Sequence, residues 1–158
     1  MSFSFPVLLK QDRPLIMGIL NITPDSFSDG GDFFEYEAAV SHGLKMASEG
    51  ADIIDIGGQS TRPGSKDVSA SLEIDRILPV VKALRCALKN KILSVDTSKP
   101  EVAEAVLKEG VDVINDITGG RNIEILSLVS CYQAGIVLMH MQGNPETMQV
   151  KPHYGDIV

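Results

Sequence analysis

Several signals are missing from this chain, and each absence removes a class of function. Lys and Arg number 14 against 21 Asp and Glu, a formal charge of −7, and no run of basic residues exists. Nucleic acid is therefore not an expected partner. No apolar run approaches the length of a membrane span, so no membrane partner is expected. The first residues, MSFSFPVLLKQDRP, lack a basic segment and hold too short an apolar stretch for a secretion signal. Cysteines number only 2, and Cys86 and Cys131 show neither C-x-x-C nor metal-ligand spacing. Both fall among apolar residues of predicted helices, and are read as buried free thiols in a reducing compartment. No G-x-G-x-x-G follows the first apolar run, which argues against a dinucleotide site. What remains is ordinary globular composition, 44% hydrophobic and 22% charged. A single cytoplasmic domain spanning residues 1–158 is expected.

The chain does contain a repeated rhythm. Short runs rich in Ile, Val, Leu and Met end in polar residues: LIMGIL at Asn21, DIIDIGG beyond Asp55, ILSVD at Asp96, VDVIND at Asn115 and Asp116, and GIVLMH at His140. Runs without clean alternation suit parallel strands buried on both faces. Helical patterns separate them. Ile77, Val81, Leu84 and Leu88 form one face of a helix within 69–90, where Pro79 predicts a kink or a later start. Ser98-Lys99-Pro100-Glu101 reads as a capping box for a helix running to Gly110. Further helices are predicted at about 35–49 and 122–132. Repeated strand–helix units imply a parallel α/β sheet with right-handed crossovers. Polar residues at the carboxyl end of every strand suit a (β/α)₈ TIM-type barrel, whose chemistry lies on that face. Five-eighths of a barrel of about 250 residues is about 156, close to the 158 here. The expectation is an incomplete barrel, β1–β5 with about four helices, either continued in a longer chain or completed by another chain.

The strand-end residues carry the candidate chemistry. Asn21 is either a turn former or an amide oxygen pointing into a site. A magnesium ion riding on substrate phosphates needs only one or two protein ligands, so a lone Asn is compatible with one. Ser60, Thr61 and Arg62, between Gly57-Gly58 and Pro63-Gly64, offer two hydroxyls and a guanidinium, as a phosphate requires. The alternative is a solvated loop with Arg62 on a surface acid. Asp96 either caps the next helix or faces a ligand, and Asn115 with Asp116 either forms a turn or does likewise. A carboxylate and an amide converging on one heterocycle can read an aminopyrimidinone. Asp55 reads as a structural buried acid. His140, between Met139 and Met141, has no partner at ligand spacing and reads as a satisfied strand-end His or a pocket wall.

In order along the chain, MGILNITPDSFSDGG, DIGGQSTRPGS, SVDTSKPEV, INDITGG and LMHMQGNPETMQ resemble the successive strand-end motifs of the dihydropteroate synthase family. Five motifs in register are highly specific. The resemblance implies a (β/α)₈ barrel that joins para-aminobenzoate to hydroxymethyl-dihydropterin diphosphate, making dihydropteroate for folate synthesis. It implies Mg²⁺ as cofactor, held by Asn21 with the diphosphate. Thr61 would hold the diphosphate and Arg62 would neutralise it. Asp96 and Asn115 would contact the pterin, with Asp96 also steadying positive charge as the C–O bond breaks. Phe27, Ser60 and Pro63 would frame the para-aminobenzoate pocket, the sulfonamide target, and Met139 would lie against the pterin. The loop after Asn21 would close as a lid with the STRPG loop. Gln59 stands where the family usually has Glu. The family's later pterin-binding residues and dimer surface come from strands beyond residue 158. Little catalysis is therefore expected of this chain alone, and self-association is expected of its open edge; the full-length protein is expected to be a homodimer. Two competing readings are a noncatalytic pterin-binding module and a corrinoid-dependent pterin methyltransferase.

Overall fold

The computed structural model describes residues 5–22, 32–59, 68–143 and 147–156. Five strands, β1 (Met17–Asn21), β2 (Ile53–Gly57), β3 (Ile92–Asp96), β4 (Val113–Asp116) and β5 (Gly135–Leu138), form one parallel sheet in chain order. Helices α2 (Asp32–Ser48), α3 (Ala70–Ala87), α4 (Pro100–Lys108) and α5 (Ile123–Cys131) connect successive strands. This is the alternating pattern expected from sequence. With order β1-β2-β3-β4-β5, the sheet is the first part of a TIM-type barrel, left open in this chain.

Each face of the sheet carries an apolar cluster. Leu20, Ile54, Ile56, Leu93, Val95 and Ile114 meet the apolar stripes of the helices, including Ile77, Leu84, Val102, Val106 and Ile125. Each such side chain removed from water stabilises the fold by about 1.5–3 kcal/mol. On the other face Ile53, Ile92 and Val113 form a smaller cluster, against which Phe5, Leu15, Met17 and Val137 pack. Phe5 opens a short helix, α1 (Phe5–Leu8), that the sequence reading did not anticipate. Its four residues are too few to show helical periodicity.

Ion pairs fasten the amino end of the sheet. The Asp52 carboxylate accepts from Arg13 and, at 3.0 Å, from the Ile16 amide. These bonds, the Arg13 one foremost, hold its pKa well below the ordinary carboxylate range. Asp112 likewise accepts from Arg85 and from the Leu93 amide, each at 2.8 Å. Charges are satisfied there, whereas the carboxyl end is different in kind.

Two local expectations are corrected, and one, at Pro79, is narrowed. Cys86 and Cys131 are exposed, not buried. Each lies two residues past a core position, Leu84 and Val129, and so turns to the opposite helix face. α3 starts at Ala70, capped by Ser69, and runs through Pro79 without the later start. The capping box does not form: Lys99 is the N-cap of α4 without a side-chain cap bond, and Pro100 takes the first helical position. Instead the Lys99 amide donates to Thr97 Oγ1 at 3.2 Å, and its ammonium is engaged elsewhere. Gly50 (φ 113°) and Gly110 (φ 83°) end α2 and α4 as expected, in a conformation other residues rarely adopt. No helix among the described residues is long and apolar enough to cross a membrane.

Candidate active site

The register places the strand-end residues in one row. Asn21 pairs with Gly57, Gly57 with Asp96, and Asp96 with Asn115. Side chains two apart on a strand share a face, so Asp55 and Ser94 form the next row down on that same face. Gly57 leaves a gap in the upper row. A Cβ there would lie 3.3 Å from Asn21 Oδ1 and 4.0 Å from Asp96 Oδ2, so these two oxygens converge over the glycine.

The row is polar, exposed at Asn21 and half-buried at Asp96 and Asn115, and short of partners. Asp96 Oδ1, Asp55 Oδ1 and Ser94 Oγ are buried without a hydrogen-bond partner among the described residues. Unmet acceptors at such depth are costly, and mark places where a ligand can supply the missing donors. Burial first, then the negative charges of Asp55, Glu73 and Asp116, push the Asp96 pKa up to about 7. Asn115 donates from Nδ2 to Asp55 Oδ2 at 3.0 Å.

Both turn alternatives are decided by these bonds. Asp116, fully buried, accepts from the Thr118 amide and hydroxyl and from the Gly120 amide, so the turn belongs to it and not to Asn115. Asp96 does not cap α4, since that cap is Lys99. Met139 follows β5, half-buried, with its amide donating to the Asp116 carbonyl at 3.1 Å. His140 is exposed and meets the Tyr154 hydroxyl at 3.1 Å, the satisfied histidine of the first reading. Phe27, Ser60, Thr61, Arg62 and Pro63 lie outside the described residues.

One cluster escaped the sequence reading. Lys99 Nζ donates to Glu73 Oε2 at 2.8 Å and also to Gln59 Oε1. Glu73 is only 1% exposed, and Arg76 donates to the Gly58 carbonyl at 3.0 Å. Residues 58–59 are thus held by α3 and by the start of α4. A signal did exist, because Glu73 sits four residues before Ile77 on the apolar stripe of α3. An open cavity of about 390 Å³ lies among Ser98, Thr118, Arg121, Asn122, Ile123 and Met141, on the segments that follow β3, β4 and β5.

Comparison with known proteins gives the family. The family described as pterin binding enzyme matches residues 17–158. The chain belongs to that family. The dihydropteroate synthase of Synechocystis is 49% identical over 147 residues, which is 92% of this chain and 50% of that protein. Among solved structures, the Xanthomonas albilineans dihydropteroate synthase with 4-aminobenzoic acid is 48% identical with a TM-score of 0.81, covering 92% of this chain and 50% of the other. A Yersinia pestis dihydropteroate synthase bound to a sulfonamide drug is 47% identical, also with a TM-score of 0.81, over 91% of this chain and 52% of the other. The chain spans about half the length of the synthases it matches.

Proposed function

We propose that this chain carries the pterin and diphosphate portion of a dihydropteroate synthase, joining hydroxymethyl-dihydropterin diphosphate to para-aminobenzoate with loss of diphosphate. The observation that carries the proposal is the row Asn21, Asp96 and Asn115, level on three strands and opening over Gly57. Its likeness to enzymes of that name supports the choice of reaction.

In this reading Asp96 and Asn115 grip the pterin ring and Met139 packs against it. An anionic Asp96 offsets positive charge that develops at the pterin methylene as the C–O bond lengthens. Its pKa of about 7 leaves that group balanced between its two forms near neutrality. Thr61 and Arg62 hold the diphosphate, and Phe27, Ser60 and Pro63 frame the para-aminobenzoate, whose pocket sulfonamides share. Weak aniline nucleophiles need a well-formed cation, so catalysis rests on departure of the diphosphate. A Mg²⁺ ion fits the donor set. Asn21 Oδ1 is a hard oxygen donor beside the Asp96 carboxylate. Among the described residues no cluster of three His, Cys, Asp or Glu could cage a metal alone. Asn21 then holds the ion together with the diphosphate. When bound, the ion supplies charge neutralisation to the leaving group.

The same reading places the protein in the cytoplasm, where its two exposed free thiols stay reduced. It also makes the chain self-associate. Ile19 and Leu138 are 52% and 50% exposed, and β5 is a free edge of the sheet. The longer protein is a homodimer in this proposal. The test is diphosphate release from the pterin diphosphate with magnesium, with and without para-aminobenzoate. The chain is assayed alone, and then joined to the second half of a related synthase. Dihydropteroate formed by the joined protein supports the proposal. Pterin binding without diphosphate release in both forms replaces it with a noncatalytic pterin-binding module.

A further inference from the structure

We infer that Asp55 is a positioning residue that fixes which way round the Asn115 amide meets its ligand, and thereby selects a 2-amino ring over its 2-oxo analogue. The inference rests on the pterin reading above, but concerns a residue one row below the ligand. Asp55 is 3% exposed, in the middle of β2, with Ser94 level with it on β3. Its Oδ2 accepts from Asn115 Nδ2 at 3.0 Å.

A carboxylate only accepts hydrogen bonds, whereas an amide both donates and accepts. Next to Asp55 the amide nitrogen of Asn115 must therefore face down, since the flipped amide would set its oxygen against a carboxylate oxygen. One of the two N–H groups is spent on Asp55. The Asn115 oxygen and the remaining N–H are left in a fixed order. Asp96, level with Asn115, adds an acceptor whose Oδ1 has no partner among the described residues.

That order matters for ring chemistry. An aminopyrimidinone edge presents an exocyclic N–H donor beside a ring nitrogen acceptor. Its deaminated analogue presents a carbonyl acceptor beside a ring N–H donor. The two edges are reversed. An amide free to flip would accept either, and an amide locked by Asp55 accepts one.

The test is isosteric. Asp55→Asn keeps the shape but can donate as well as accept, so it supports either orientation of Asn115. Affinities of pterin and of lumazine, in which oxygen replaces the ring amino group, are measured by fluorescence titration on the wild-type and variant chains. Circular dichroism checks that both fold. The wild-type chain is expected to favour pterin by on the order of tenfold or more, the cost of two mispaired groups. The variant is expected to lose most of that ratio, chiefly by binding lumazine better. An effect on stability alone would shift both affinities together and leave the ratio intact; an unchanged ratio overturns the inference. Magnetic resonance supplies a second measurement that needs no variant. Scalar coupling across the hydrogen bond between Asn115 Nδ2 and the Asp55 carboxyl is expected in the wild-type chain, and its absence also overturns the inference. If the wild-type chain binds neither ring, the pterin reading fails for this chain and the claimed selection fails with it. The coupling then still decides whether Asp55 holds Asn115.

Discussion

Asp96→Asn removes a half-buried carboxylate from a face already crowded with negative charge, and is expected to stabilise the chain while disabling its site. Burial and the nearby Asp55, Glu73 and Asp116 carry the Asp96 pKa from its ordinary 3.8 to about 7. Such an acid binds its proton more tightly folded than unfolded. Its contribution is therefore fully present at low pH, and is lost as pH rises from 3.8 to about 7. Each unit of displacement is worth about 1.4 kcal/mol, so the ionised form costs the fold up to roughly 4 kcal/mol. Partial access to water lowers that to about 2 kcal/mol. Urea unfolding followed by circular dichroism, at about pH 5 and about pH 8, reads the effect directly. The wild-type chain should lose about 1 kcal/mol more than the variant across that interval, the rest of the loss falling below pH 5. At the higher pH Asp96→Asn should be the more stable of the two. Every other titrating group is common to both proteins and cancels in the difference. Equal pH dependence in the two proteins would refute the reasoning, and so would a variant less stable than wild type at the higher pH.

Lys99→Met should destabilise the chain by about 3 kcal/mol, because it strands the buried Glu73 carboxylate. Adding Glu73→Gln should recover part of that loss in the same urea titration. Gly135→Ala places a Cβ 2.5 Å from Phe5 Cδ1, so α1 must shift or detach. A loss of about 1–3 kcal/mol is expected, with faster amide exchange over α1. Asn21→Ala should weaken the magnesium dependence of diphosphate binding in the joined protein while leaving pterin binding intact. Calorimetry with and without the metal checks this.

How far the molecule was legible in its sequence differs between levels, for physical reasons. The order of strands and helices follows from local patterns, as the apolar runs ending at Asn21, Asp96 and Asn115 show. The apolar stripe of α3 was equally visible. Their likeness to a known series of motifs also anticipated the family. Residues 23–31 and 60–67, which hold Phe27 and the STRPG loop, lie outside the described residues.

Exposure of the two cysteines depended on a rotation of about 200° around each helix from a core position, which composition does not report. The ambiguity between turn and site at Asn115 and Asp116 was real in sequence. Adjacent residues on a strand point to opposite faces, and only the packing of β4 says which face is which. Pairings such as Asn115 with Asp55, or Lys99 with Glu73 and Gln59, join residues tens of positions apart. No local pattern encodes them, because they exist only once parallel strands have set their register. The sequence by itself determined the elements, their order and the polar character of the strand ends. Tertiary structure alone decided that three of those ends stand level over Gly57, and that an acid one row beneath holds one of them in place.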